Sequence, residues 1–145
     1  MEIREIASKE EMLRSHHLLL EVYPSLTLEE YDRELDGMLP HNYGQVGVFD
    51  NGELVGLTGY WIGSKLWCGK YMELDNVVVA QSHRRTGVGH RLFDYMREKA
   101  VELDCNMLAL DSYTDNFPAH RFFYSENYIP RGFHFIHILN KGTIR

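Results

Sequence analysis

Apolar residues change period several times along the chain, and each change marks an element. Residues 2–6 alternate enough for a short first strand. Ser8 followed by Glu11 is a capping box, which predicts a helix from there to about Tyr23, with Pro24 marking its end. Thr27 and Glu30 repeat that spacing and predict a second helix through about Met38, closed by Gly37 and Pro40 nearby. Between VGVF and LVGLTGYW lies Asp50-Asn51-Gly52-Glu53. Both central residues of a type I′ turn need positive φ, which Asn and Gly tolerate, so this stretch predicts a hairpin of two antiparallel strands. A loop around residues 63–69 leads to a long fourth strand ending in Val77-Val78-Val79. An unbroken β-branched run belongs to a strand covered on both faces, which places this one near the sheet centre. Val88, Leu92, Met96, Ala100 and Leu103 share one face of a third helix. Residues 107–111 predict a fifth strand, and Pro118 following Asp115 or Asn116 predicts the capped start of a fourth helix. Residues 127–139 predict two short closing strands around Pro130-Arg131-Gly132. The order is β-α-α-β-β-β-α-β-α-β-β.

The turn between the fourth strand and third helix carries the chemistry. Residues 84–89 read Arg-Arg-Thr-Gly-Val-Gly, two guanidinium groups beside two glycines at a helix start. The first amides of a helix lack internal partners and carry the positive end of its dipole, and glycine lets backbone approach an oxyanion without a Cβ between them. Anion binding follows. Neither the dinucleotide pattern G-x-G-x-x-G nor the P-loop pattern G-x-x-x-x-G-K-[ST] is present.

Composition narrows the choice. A chain of 145 residues fits one domain spanning 1–145, without a linker, repeat or low-complexity tract. No apolar run is long enough to span a bilayer and the amino terminus is charged, so no membrane association and a cytoplasmic protein are expected. Cys68 and Cys105 make no metal pattern and read as thiols. The net charge of −6 argues against a nucleic-acid surface. Acids instead cluster at Glu21, Glu29, Glu30, Asp32, Glu34 and Asp36, either as a solvated helix face or as a surface that steers a cationic amine. Among eight histidines no pair stands with an acidic or cysteine partner at zinc-like spacing, so no metal is expected.

The motif R-x-x-G-x-G at residues 84–89 resembles the acetyl-CoA signature of the GNAT family of N-acetyltransferases. The resemblance extends over residues 71–139, because the strand before the motif, the helix after it and the segment LALDSYTDNFPAHRFFYSENYIPRGFHF fall where that family places its elements. It is nearest to small bacterial members with an L-D-S strand end followed by A-H-R-F-Y, a subgroup with no settled substrate. It implies an α/β (α+β) GNAT fold with a mixed central sheet of about seven strands flanked by four helices. It also implies acetyl-CoA as cofactor, CoA as product, and a small-molecule or peptide amine as acceptor, attacked directly in a ternary complex. A homodimer is compatible with the family.

Residue roles follow by position. Arg84, Arg85, Thr86, Gly87, Val88, Gly89 and His90 would hold the pyrophosphate, with His83 flanking it. Backbone of Val77, Val78 and Val79 would hold the pantetheine arm and thioester oxygen, and Asn116 and Phe123 would line the arm. Glu73, eleven residues before Arg84, matches the family's base; plain alternation puts it on one face with Asp75, Val77 and Val79, so Asp75 could serve instead. The family's acid is a tyrosine where this chain has Phe123. Tyr124 comes one step later, about 100° around the helix. That displacement leaves a rival reading, a non-catalytic acyl-CoA sensor or regulatory module. Tyr23, Tyr31, Trp61 and Trp67 could form an aromatic wall or pack in the core.

Overall fold

The computed structural model describes residues 1–145. The chain divides into two units, Met1–Leu110 and Asp111–Arg145. In the first, β1 (Glu2–Glu5) leads to α1 (Lys9–Leu13), where the Ser8 hydroxyl accepts from the Glu11 amide. The predicted first helix is broken. Its second half, α2, covers only His16–Leu19. Ser15, buried between the pieces, donates its hydroxyl to the Met12 carbonyl at 2.6 Å, and such side-chain bonding competes with the helix ladder. α3 (Leu28–Met38) begins at Thr27, whose oxygen accepts from the Glu30 amide.

β2 (Tyr43–Asp50) and β3 (Glu53–Lys65) turn about Asn51 at φ 51° and Gly52 at φ 81°, the two positive values a type I′ hairpin requires. β4 (Gly69–Val79), α4 (Val88–Glu102) and β5 (Met107–Leu110) complete the unit. The sheet order is β1-β2-β3-β4-β5, antiparallel except for the parallel β4–β5 pair. β4 is interior over Tyr71–Leu74, whereas its valine run lies past the β5 ladder and pairs with β3 alone, a correction to the central place expected for it.

Two cores sandwich this sheet. On one face Ile6, Met12, Leu18, Leu19, Leu26, Tyr31 and Leu35 pack with Tyr43, Leu57 and Val78. On the other, α4 buries Val88, Leu92, Phe93, Met96 and Ala100, with Val88 so close over Gly56 that an added Cβ would meet it at 3.1 Å. Leu103, also predicted for that stripe, is only half-buried. Each fully buried leucine contributes about 1.5–3 kcal/mol, so Leu35, Leu57 and Leu92 carry much of the stability.

β4 is not a regular strand. Its pairing with β3 passes from Asp75–Gly59 to Val78–Leu57, so Asn76 and Val77 together face Thr58. This is a β-bulge, with Asn76 at φ 54° and the Thr58 hydroxyl donating to the Gly59 carbonyl at 2.9 Å and the Asp75 carbonyl at 3.3 Å. An extra residue reverses the side-chain alternation beyond it. Glu73 and Asp75 therefore share the α1–α3 face with Val78, whereas Val77 and Val79 turn to the α4 face, correcting the single face expected for Glu73, Asp75, Val77 and Val79.

In the second unit, α5 (Phe117–Ser125) is capped by Asn116, which accepts from the Ala119 amide at 3.4 Å, with Pro118 in the first turn. The two closing strands expected over residues 127–139 do not form. A strand needs a ladder partner for its amides, and this stretch starts instead with local closure: the Tyr128 amide bonds Phe123 O at 2.9 Å, Asn127 sits at φ 68°, and Pro130 has no amide hydrogen to give. The sheet thus has five strands where seven were expected, and five α-helices replace four. No helix is long and apolar enough to cross a membrane.

Candidate active site

The turn after β4 leaves a helix amino end open. A single 3-10 turn (Gln81–His83) follows the strand, and Gly87 caps α4 at φ 84°, a value an L side chain rarely adopts. No side chain caps the helix and no acid lies in its first turn. A Cβ built on Gly87 would find nothing within 4 Å, so space over the first amides is open. Backbone amides, dipole and open space together fit a pyrophosphate.

The flanking side chains divide. Arg84 turns back: its Nε donates to the Val79 carbonyl at 3.2 Å and its guanidinium lies 3.8 Å from Glu21, which ties the turn to the end of β4. Arg85 adopts φ 62° and is exposed. Thr86 donates its hydroxyl to the His83 carbonyl, bracing the loop from within. His83 has both ring nitrogens engaged, Nε2 with Asp50 at 3.0 Å and Nδ1 with Ser82 at 2.8 Å. His90 lies 3.3 Å from Asp94 one turn further along α4. Gly89 and Val88 sit in the first helical turn.

An opening lies upstream of that turn. The β4–β5 ladder ends at the Leu74–Leu110 pair, whereas β4 continues through residues 75–79 paired with β3 alone. Ladder partners on the β5 side stop at Leu74, two residues before the bulged Asn76. Here backbone is set aside from the sheet beside Val77, Val78 and Val79, the segment expected to hold a thioester arm.

Two carboxylates stand at the start of this opening. Glu73 is half-buried, between Trp61 of β3 and Ala109 of β5. Asp75 accepts from the Trp61 indole at Oδ2 (3.1 Å) and from the Asn76 amide at Oδ1 (2.9 Å). Both carboxylate oxygens of Asp75 are thus engaged, by β3 and by the next residue of its own strand. Of the expected aromatic wall, Tyr31 is buried core and Trp67 is 60% exposed on the β3–β4 hairpin, leaving Tyr23 and Trp61 near Asp75 and Asn76.

The second unit carries the remaining candidates. On α5, Phe123 is half-buried against Phe122 and Tyr128. Tyr124 is 57% exposed. Asn116 is exposed and caps its helix; His120 bonds the Tyr113 carbonyl at 2.8 Å.

Sequence reasoning missed Asn76 and Tyr43, and gave Tyr23 only as part of an aromatic wall. Tyr43 donates to Asn76 Oδ1 at 2.9 Å, and Asn76 Nδ2 donates to the Tyr23 hydroxyl at 2.9 Å. The available signal was an Asp-Asn pair inside an apolar strand, since Asn is among the few residues that tolerate positive φ.

A mixed sheet splayed beside a glycine-capped helix defines an acyl-CoA-type transferase fold. The Acetyltransferase (GNAT) family profile matches residues 4–126, and the chain belongs to that family. As a member it is an acetyl-CoA-dependent N-acetyltransferase. It is similar to the uncharacterized N-acetyltransferase YhdJ of Bacillus subtilis (strain 168), at 24% identity over 122 residues covering 83% of this chain and 86% of the relative. Among solved structures it is similar to glucosamine-6-phosphate N-acetyltransferase from Arabidopsis thaliana, with TM-score 0.74, 18% identity and coverage of 96% and 98%. It is likewise similar to AAC(6')-Iy in complex with a CoA bisubstrate analog, with TM-score 0.82, 14% identity and coverage of 96% and 97%. These two likenesses are of fold.

Proposed function

We propose that the chain moves an acetyl group from acetyl-CoA to the primary amine of a small molecule or peptide by direct attack, without a covalent enzyme intermediate. The observation that supports this best is the continuation of β4 past its β5 ladder into the glycine-capped turn of α4. The two together offer a thioester arm unpaired backbone at one end and its pyrophosphate a helix amino end at the other. Acetyl-CoA supplies the activated acyl group.

Residues 84–90 receive the pyrophosphate, Arg85 through its exposed guanidinium and Arg84 by anchoring the turn to Val79. The backbone of Val77, Val78 and Val79 orients the arm and the thioester oxygen. Glu73 takes the proton of the attacking amine, with Asp75 held beside it by Trp61 and Asn76. By their positions in the family pattern, Tyr124 is proposed as the proton donor to the departing thiolate, and Asn116 and Phe123 as residues for the arm.

Calorimetry with acetyl-CoA, with ATP and NAD as controls, tests the cofactor; saturable binding to acetyl-CoA alone is expected. Thiol release with an amine panel then tests transfer, starting from amino sugars and aminoglycosides, the amines for which the structural neighbours are named. Glu73→Gln should lower turnover much more at pH 7 than at pH 9, where free amine is abundant. Equal loss at both would remove Glu73 as base. Unchanged turnover in Tyr124→Phe would remove the acid.

A further inference from the structure

We infer that Tyr23, Tyr43 and Asn76 form a clamp that positions the acetyl end of the cofactor by fixing the bulge of β4, an inference that rests on the acetyl-transfer reading above. Asn76 is the bulged residue and takes φ 54°, a conformation few non-glycine residues adopt. Neither end of its side-chain amide is left to water. Oδ1 accepts from Tyr43 at 2.9 Å and Nδ2 donates to the Tyr23 hydroxyl at 2.9 Å, while its main-chain amide goes to Asp75.

The proton of Tyr43 is committed to this bond. Gln45 Nε2 donates into the same hydroxyl oxygen at 3.1 Å and into that of Tyr31 at 2.8 Å, so Tyr43 accepts from Gln45 and donates to Asn76. Tyr31 in turn donates to the Met12 carbonyl at 3.0 Å. The chain of bonds thus runs from the last turn of α1 through the core to the bulge. Burial raises the Tyr43 pKa far above the usual tyrosine range, so its proton stays in place at any working pH.

Two further observations show that this arrangement is built at a cost to its surroundings. Gly59 of β3 lies under the clamp, and a Cβ there would meet the Tyr43 hydroxyl at 2.4 Å and Asn76 Oδ1 at 2.9 Å. The bond exists only because that position is glycine. Gln45 Oε1, fully buried, has no hydrogen-bond partner, a penalty that a plain apolar core would avoid. Both features serve the geometry of the bulge, which follows two residues after β4 leaves its β5 ladder at Leu74.

The pyrophosphate and the acetyl group are therefore held by separate devices. The clamp residues touch neither; they are positioning residues, and a loss of alignment costs rate more than affinity. Asn76→Gly keeps the positive φ and deletes the clamp, which separates the side chain's role from the backbone's. Tyr43→Phe removes one hydroxyl, and Tyr23→Phe, at a half-buried site, does so with less risk to folding.

The experiment measures acetyl-CoA affinity by calorimetry and kcat and KM by thiol release, on the panel amine that the wild type acetylates fastest. Each single variant should bind acetyl-CoA within about twofold of wild type, keep KM for acetyl-CoA, and lose about tenfold or more in kcat. Asn76→Gly combined with Tyr23→Phe should fall no further than the worse single variant, because both act through one device. Unchanged kcat in Asn76→Gly, or losses that multiply in the double variant, would overturn the clamp and leave the acetyl-transfer reading standing. A wild type that fails to bind acetyl-CoA, or acetylates no amine in the panel, overturns both.

Discussion

The two ends of the 75–89 segment are built in opposite ways. At the turn, residues 84–89 depend on backbone: a glycine at positive φ, helix amides without a side-chain cap, and exposed arginines around them. At the bulge, Asp75 and Asn76 depend on side chains that arrive from distant elements, Trp61 from β3, Tyr43 from β2 and Tyr23 from the segment after α2. The first is local, open and tolerant in its packing. The second is half-buried and intolerant. Under the proposed function the first would serve to capture a long cofactor and the second to aim one carbonyl.

The sharpest break between them is Gly89→Glu, which sets a carboxylate where the turn should receive phosphate. Acetyl-CoA should bind at least about 100-fold more weakly, near 2.7 kcal/mol, with the melting temperature unchanged. Calorimetry and a thermal scan on one preparation read both. Gly59→Ala should do the reverse. Its Cβ would sit 2.4 Å from the Tyr43 hydroxyl, and overpacking of this kind costs about 1–3 kcal/mol, visible as a lower denaturant midpoint.

Alkaline titration sharpens the contrast further. Burial raises the pKa of Tyr43 and Tyr31 above the ordinary value of 10.0. A raised folded pKa means that the unfolded chain gives up these protons first, so the stability is complete below about pH 10 and falls as pH rises beyond it. The melting temperature should decline above pH 10, and Tyr43→Phe should flatten that decline although it lowers stability at neutral pH. The smallest effect belongs to neither end. Lys9→Ala removes exposed pairs with Asp32 at 2.5 Å and Asp36 at 2.6 Å and should leave melting and binding unmoved.

The same division explains what the amino-acid sequence revealed. The hairpin at Asn51-Gly52, the caps at Ser8, Thr27 and Asn116, and the α4 stripe from Val88 to Ala100 all rest on residues a few places apart, and all stand in the structure. The glycine turn that opens α4 was legible for that reason. The bulge was not, because its cause lies in a glycine and two tyrosines spread over β2, β3 and the α2–α3 connection, and the alternation rule assigned Val77 and Val79 to the wrong face. The break at Ser15 was hidden in part, since its hydroxyl, bonded to the Met12 carbonyl, also meets the Tyr31 hydroxyl of the distant α3 at 3.0 Å. The closing strands failed on another ground: an alternating pattern gives a segment the ability to pair, not a partner.

Gly59, Tyr43 and Asn76 occupy one volume, and that has an evolutionary consequence. A relative that exchanged Gly59 for a larger residue while keeping both others would strain its own sheet, so the three positions should drift together. Where the tyrosine is lost, the glycine is released to become almost anything, and the asparagine must find a new donor or yield to glycine itself. Paired inheritance at these positions, in sequences too distant for their substrates to be compared, would mark the lineages that aim the acetyl group in this way.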